Sequence, residues 1–134
     1  MNRRKAREYA FLILFQKMFF ANLTWEELAQ KSIDNGYVEQ DDFTDSLCEL
    51  AAIHMEEIDS LMAPNSKNWD LNRISKVNIT ILRLAITEIK YMQDIPFKVS
   101  VNEALELAKK FATQEEVKFV NGVLAGVIIE LKLG

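Results

Sequence analysis

Cysteine, histidine, proline and glycine are scarce in this sequence of 134 residues, which has one cysteine, one histidine, two prolines and four glycines. A single cysteine cannot form a disulfide within the chain, and one cysteine with one histidine is too few for the usual zinc sites. Few prolines and glycines also mean few obligatory turns. These scarcities favour a helical protein in a reducing compartment, and we expect no bound metal.

The groups needed for catalysis are equally sparse. The only thiol and the only imidazole, at Cys48 and His54, are six residues apart on one predicted helix, a spacing that does not align them on one face. The glycines are too scattered to form a phosphate-binding loop. We therefore expect no catalytic residues, no cofactor and no enzymatic activity.

Long apolar runs are absent as well, since no stretch approaches the roughly 18 uncharged residues of a transmembrane helix. The apolar segment that follows the basic start is interrupted by Gln16 and Lys17, and no pair of small residues suited to signal-peptide cleavage follows it. We expect a cytoplasmic protein that does not associate with membranes.

Apolar residues in helical spacing are abundant, and 49% of the chain is hydrophobic. The pattern predicts helices over residues 3–20, 24–31, 39–62, 75–93, 100–111 and 113–131, and a short helical turn near 69–74. Three pairs are spaced as capping boxes, in which each side chain bonds the other's backbone amide: Thr24 with Glu27, Ser100 with Glu103, and Thr113 with Glu116. Pro64 is expected to end the third helix.

The predicted fold class is therefore all-α, with about seven helices in two packed helical bundles that form one compact domain. The link near Pro64 separates an N-terminal helical subdomain, residues 1–63, from a C-terminal one, residues 64–134. Each alone is too small to bury its apolar faces well, so we expect the two to pack together, with the first helix between them.

Charge is distributed unevenly along the chain, whose net charge is -4. Residues 24–59 contain Lys31 as their only lysine or arginine and eleven acidic residues: Glu26, Glu27, Asp34, Glu39, Asp41, Asp42, Asp45, Glu49, Glu56, Glu57 and Asp59. Four cations lie close together at the start of the chain, at Arg3, Arg4, Lys5 and Arg7. Three of these, the arginines, share one side of a helix, where they could meet a phosphate backbone.

Several segments, in this order and at this spacing, resemble the NusB family of bacterial transcription antitermination factors. They are RRKAREYA at residues 3–10, NWDLNRISKVNITILRLAITEI at 68–89 and DIPFKVSVNEALELAKKFATQEEVKFVNGVLAGV at 94–127. The most specific elements are Asn102-Glu103-Ala104 and the run from Lys118 to Leu124. The resemblance covers essentially the whole chain, while the acidic middle matches only in its helical pattern.

The resemblance implies a protein that binds the boxA element of nascent, single-stranded RNA together with NusE, a ribosomal small-subunit protein. The pair joins RNA polymerase and suppresses termination in ribosomal RNA operons. The family's arginine-rich motif falls on Arg3, Arg4, Lys5 and Arg7, which we assign to RNA binding, with Lys118 as a weaker candidate. Phe15 or Phe111 could offer a stacking face for a base, although both lie in apolar stripes.

For the protein partner, the resemblance points to Arg83 and Glu88 on the predicted helix over 75–93. Arg83 could equally form an internal salt bridge. Two positions depart from the family, because Asn78 stands where an acidic residue is common and Ala125 where an aspartate is common. Polar contacts with the partner at these two positions are therefore in doubt.

Two other functions stay open at this point. NusB-like domains also resemble the N-terminal part of bacterial RNA cytosine methyltransferases, so the chain could be a detached RNA-binding module of such an enzyme. Alternatively, it could be a structural helical protein whose N-terminal cations pair with the acidic residues of a second copy. Because some NusB-like proteins form homodimers, that pairing need not exclude RNA binding.

Overall fold

The structure is a computed structural model that describes residues 2–66 and 74–134, and over these two ranges it contains helices and turns but no strand. The all-α prediction is confirmed. None of the helices in these ranges is long and apolar enough to cross a membrane. They are α1 (Arg3–Lys17), α2 (Trp25–Asp34), α3 (Asp42–Ile53), α4 (Met55–Asn65), α5 (Lys76–Tyr91), α6 (Phe97–Phe111) and α7 (Gln114–Glu130).

The junction between α1 and α2 largely follows the sequence prediction. Helix α1 ends three residues early, at Lys17, whose ammonium group bonds the carbonyls of Ala21 and Leu23 in the following turn. The predicted capping box is present at the start of α2. The Thr24 hydroxyl accepts from the Glu27 amide at 3.1 Å, and the Glu27 carboxylate accepts from the Thr24 amide at 3.1 Å.

The single long helix predicted over residues 39–62 is wrong, because the chain breaks it into α3 and α4 at His54. Both helices pack against α5, but α3 also packs against α1 whereas α4 packs against α7, so the chain turns between them. The His54 ring stacks on Tyr91 at the break, with 3.9 Å between centroids. Pro64 lies inside α4, which ends one residue later.

The second predicted capping box is also wrong. Helix α6 begins at Phe97, directly after Pro96, so Ser100 and Glu103 lie within the helix and neither of them caps it. At α7 the predicted cap forms in part, because Thr113 accepts from the Glu116 amide at 3.2 Å without the reciprocal bond to its own amide. The turn predicted near 69–74 falls mostly on residues 69–73, which lie outside the described ranges.

Helix α5 is the centre of the protein. It packs against α1, α3, α4, α6 and α7, and Ile81, Leu82 and Ile86 on it are fully buried. Helix α1, predicted to lie between the two halves, contacts α2 and α3 on one side and α5 on the other. The division into subdomains at residues 63 and 64 stays a prediction.

Candidate nucleic-acid interface

The basic residues at the start of the chain form the first turn of α1. Asn2 caps this helix, since its side-chain oxygen accepts from the Lys5 amide at 2.8 Å. The first turn contains no acidic residue. Cations at a helix N-terminus oppose the helix dipole, so this turn gains from any nearby anion.

Arg7 does not lie on the exposed face predicted for it. It is 5% exposed, and its Nε and Nη2 atoms donate to the Glu88 carboxylate at 2.7 and 2.8 Å. Glu88 is only 2% exposed and also accepts from the Ser100 hydroxyl at 3.1 Å. Neither side chain is exposed as those roles led us to expect, because the two groups pair where α1, α5 and α6 meet. Their parts in RNA and partner binding stay predictions.

Arg4 is held differently, in a pair at the surface. Its Nε and Nη2 atoms donate to the Glu103 carboxylate at 3.0 and 2.8 Å. The Arg4 side chain is 60% exposed, whereas that of Glu103 is 11% exposed and lies 3.7 Å from Arg7 Nη1. The hydrogen bond from Arg4 holds the pKa of Glu103 below its ordinary value, against the opposing effect of burial. Glu103 is therefore ionised at neutral pH.

The other two cations of the motif, Arg3 and Lys5, remain exposed. The Arg3 guanidinium lies 4.7 Å from the centroid of the Phe43 ring, and no carboxylate among residues 2–66 and 74–134 forms a salt bridge with it. Lys5 lies 3.7 Å from Glu8 in a loose, exposed pair. These two residues, with Arg4, are the cations of the motif that an approaching polyanion can reach.

Two shallow cavities flank the Arg4 and Glu103 pair, and both are also lined by Arg7. One, of about 420 Å³, extends past Arg3 to the turn before α6, and the other, of about 290 Å³, extends along α6 to Lys109 and Lys110. Lys118 is exposed near the start of α7 but lines neither cavity. The sequence predicted the cations of this site but not its carboxylate. Glu103, which the sequence analysis made a helix cap, lines both cavities.

Aromatic rings form a row along α1. Phe11 stacks on Phe111 at 4.7 Å and on Phe15 at 5.6 Å, and Phe15 meets the edge of Phe19 at 5.2 Å. Phe15 and Phe111 are partly buried and pack against the core. Phe19, which the sequence analysis did not single out, is 56% exposed, with the Lys76 ammonium 5.6 Å from its ring centroid.

The residues predicted for the protein partner are dispersed. Arg83 forms the internal salt bridge that the sequence left open, donating to Asp59 at 3.0 and 2.9 Å. Asn78 is 1% exposed, and its Oδ1 atom has no hydrogen-bond partner among the described residues. Ala125 is exposed and lines a groove of about 440 Å³ between α6 and α7.

The residues considered for catalysis or metal binding do not come together in a site among the described residues. Cys48 is fully buried, and burial raises the pKa of its thiol. Among residues 2–66 and 74–134, no three histidine, cysteine, aspartate or glutamate side chains come together as a set of metal ligands.

Comparison with known proteins identifies the family of the chain. A model of the NusB family matches residues 4–128. The chain belongs to the NusB family. Among curated members, the transcription antitermination protein NusB of Listeria monocytogenes serotype 4a (strain HCC23) is 41% identical over 137 residues, which cover 98% of this chain and 100% of that protein.

Solved NusB structures share the fold. A T. maritima NusB crystal structure superposes with a TM-score of 0.83 at 32% identity, covering 97% of this chain and 92% of that one. A chain from a crystal structure of the antitermination factors NusB and NusE in complex with dsRNA superposes with a TM-score of 0.82 at 27% identity, covering 96% of each chain. The sequence resemblance to this family is confirmed.

Proposed function

We propose that this chain is a non-catalytic transcription antitermination factor, which binds boxA-type single-stranded RNA together with the ribosomal protein NusE. In this role it joins RNA polymerase and promotes processive transcription of ribosomal RNA operons. The observation that carries the proposal is the match to NusB proteins, in both sequence and fold, over nearly the whole chain.

The RNA surface that we propose is centred on the exposed first turn of α1, with Arg3, Arg4 and Lys5 as the contacting cations. Their exposure and the two adjoining cavities support this assignment. Phosphate contacts by such side chains fix the position of the RNA on the protein, while contacts to bases splayed out from a single strand supply the sequence preference. Lys118 stays a weaker candidate, and Arg7 contributes indirectly, by anchoring α1 to Glu88.

For the protein partner we propose the groove between α6 and α7. Its lining is mostly apolar and includes Val101, Leu105 and Ile129, the last of which is 76% exposed. Exposed apolar patches gain most when a partner covers them. Asn102 and Asn121, which belong to the segments that carry the family resemblance, also line it. Arg83 is the remaining predicted contact, at the surface of α5.

Two alternatives are less well supported. The Listeria relative, a named antitermination protein, is covered along its full length, which favours that function over a detached module of an RNA cytosine methyltransferase. In a purely structural role, the exposed cations would pair with the acidic residues of a second copy and would bind no RNA. Homodimer formation stays a prediction, which size-exclusion chromatography with and without RNA tests.

The deciding experiment is a fluorescence anisotropy titration of boxA-like and scrambled single-stranded RNA and of a duplex, each with and without NusE. We expect preferential binding of the boxA-like strand, strengthened by NusE. Ile129→Asp should weaken the NusE effect without changing binding by the chain alone, whereas Arg83→Ala tests the α5 surface. Equal binding of all RNAs in both conditions would contradict the proposal.

A further inference from the structure

The proposed RNA surface contains a carboxylate at its centre. We propose that Glu103 limits RNA affinity by occupying the guanidinium edge of Arg4 that a phosphate would otherwise bind. This inference rests on the proposed RNA-binding function and names a residue that sets the strength of that binding.

The geometry of the pair is the first argument. A guanidinium binds carboxylate and phosphate groups through the same planar fork of two parallel N–H donors. In Arg4 the fork formed by Nε and Nη2 is already filled by both Glu103 oxygens, at 3.0 and 2.8 Å. A phosphate that reaches this exposed side chain must therefore displace Glu103 or accept the less favourable remaining donors.

The charge of Glu103 is the second argument. Since its pKa lies below the ordinary value, the group is ionised wherever RNA binding would be measured. Its negative charge cancels that of Arg4 and repels an incoming phosphate. Arg3 and Lys5 have no such tightly bound carboxylate, because Arg3 lies over an aromatic ring and Lys5 is 3.7 Å from Glu8.

The anchoring of α1 is the third argument. The buried contacts of Arg7 with Glu88, supported by Ser100, already fix the start of α1 to α5 and α6. The Arg4 and Glu103 pair is largely solvated on the arginine side, and such pairs contribute little to stability. Glu103 also lies 3.7 Å from Arg7 Nη1, and glutamine keeps its size and a hydrogen-bonding oxygen, so we expect Glu103→Gln to retain the fold.

The test compares RNA binding by wild type, Glu103→Gln, Arg4→Ala and the double variant across a salt series. In wild type, where Glu103 neutralises Arg4, the two cations Arg3 and Lys5 predict a slope of about -1.4 for the logarithm of the RNA association constant against the logarithm of the salt concentration. In Glu103→Gln, where Arg4 is released, three cations predict a slope of about -2.1. We expect the affinity of Glu103→Gln to rise about three- to tenfold, which corresponds to removing one charge near a solvated phosphate. In the Arg4→Ala background the same substitution should give no gain.

The matched control is Glu106→Gln, which removes the same charge one turn along α6, where the carboxylate pairs with Lys109 at 3.3 Å. It should raise affinity less and leave the salt slope unchanged. An equal gain in Glu106→Gln, a gain that persists with Arg4→Ala, or no gain in Glu103→Gln would overturn the inference.

Folding is checked by far-UV circular dichroism, with Glu103→Ala as a second variant. If both Glu103 variants unfold, the pair is a structural requirement and the inference is overturned. If wild type binds RNA and Glu103→Gln does not bind more tightly, only this inference is wrong. If wild type binds none of the RNAs with or without NusE, the proposed function is overturned as well.

Discussion

The buried pair of Arg7 and Glu88 gives the sharpest prediction about this protein. Both residues are at most 5% exposed, and within the part of the chain that the structure describes the carboxylate has only Arg7 and the Ser100 hydroxyl as hydrogen-bond partners. Replacing Arg7 by methionine leaves the buried Glu88 carboxyl group without its charged partner, and breaking a buried ion pair in this way typically costs about 3–5 kcal/mol. A domain of this size has only about 5–15 kcal/mol to lose.

Urea unfolding followed by circular dichroism measures this loss for Arg7→Met, Glu88→Met and the double variant. Because replacing a whole buried ion pair by apolar residues of similar volume is often neutral, the double variant should recover most of the stability that either single change removes. The control is Arg3→Met, which removes the same charge from the surface and should cost less than about 1 kcal/mol.

The result that would refute this reasoning is an Arg7→Met protein that loses less than about 1 kcal/mol yet binds RNA more weakly. Arg7 would then be a direct RNA contact, as the family motif implies. A double variant no more stable than Arg7→Met would equally show that the two side chains do not act as a pair.

Two further predictions concern packing and acid stability. An alanine Cβ at Gly126 would clash with Asn65 Oδ1, so Gly126→Ala should be more favourable by at least about 1 kcal/mol in an Asn65→Ala background, measured by urea unfolding. An equal effect in both backgrounds would contradict the close contact of α4 and α7. The pKa of Glu103 is lower in the folded protein than its ordinary value of 4.5. The ionised carboxylate therefore stabilises the folded protein above pH 4.5, and this stabilisation is lost as the pH falls through the folded-state pKa. Melting temperatures between about pH 3 and 6 should therefore fall less steeply for Glu103→Gln than for wild type, and parallel curves would contradict this.

Local signals in the sequence predicted local structure well. Thr24 and Glu27 form the capping box that their spacing predicts, and Ser75 caps α5 by accepting from the Asn78 amide at 3.1 Å. Such bonds form between residues three apart, so neighbouring residues alone determine them. The break at His54 was missed because the spacing of three and four residues between apolar positions continues across it in the sequence.

The candidate site depended on the tertiary structure to a much greater extent. The sequence placed Arg7 and Glu88 on surfaces, left Arg4 without a partner and made Glu103 a cap, since helical periodicity describes one helix at a time. The partners that decide the outcome are 99 residues apart for Arg4 and Glu103 and 81 apart for Arg7 and Glu88. Only the packing of α1 against α5 and α6 brings them within hydrogen-bond distance.

By itself, then, the amino-acid sequence determined the helical class, about half of the helix boundaries, the basic first turn and the family, because these follow from composition, spacing and motif. The tertiary structure alone decided which cations are free. A charge is neutralised or left exposed according to what lies within a few ångströms of it, and here the neutralising carboxylates come from helices far along the chain.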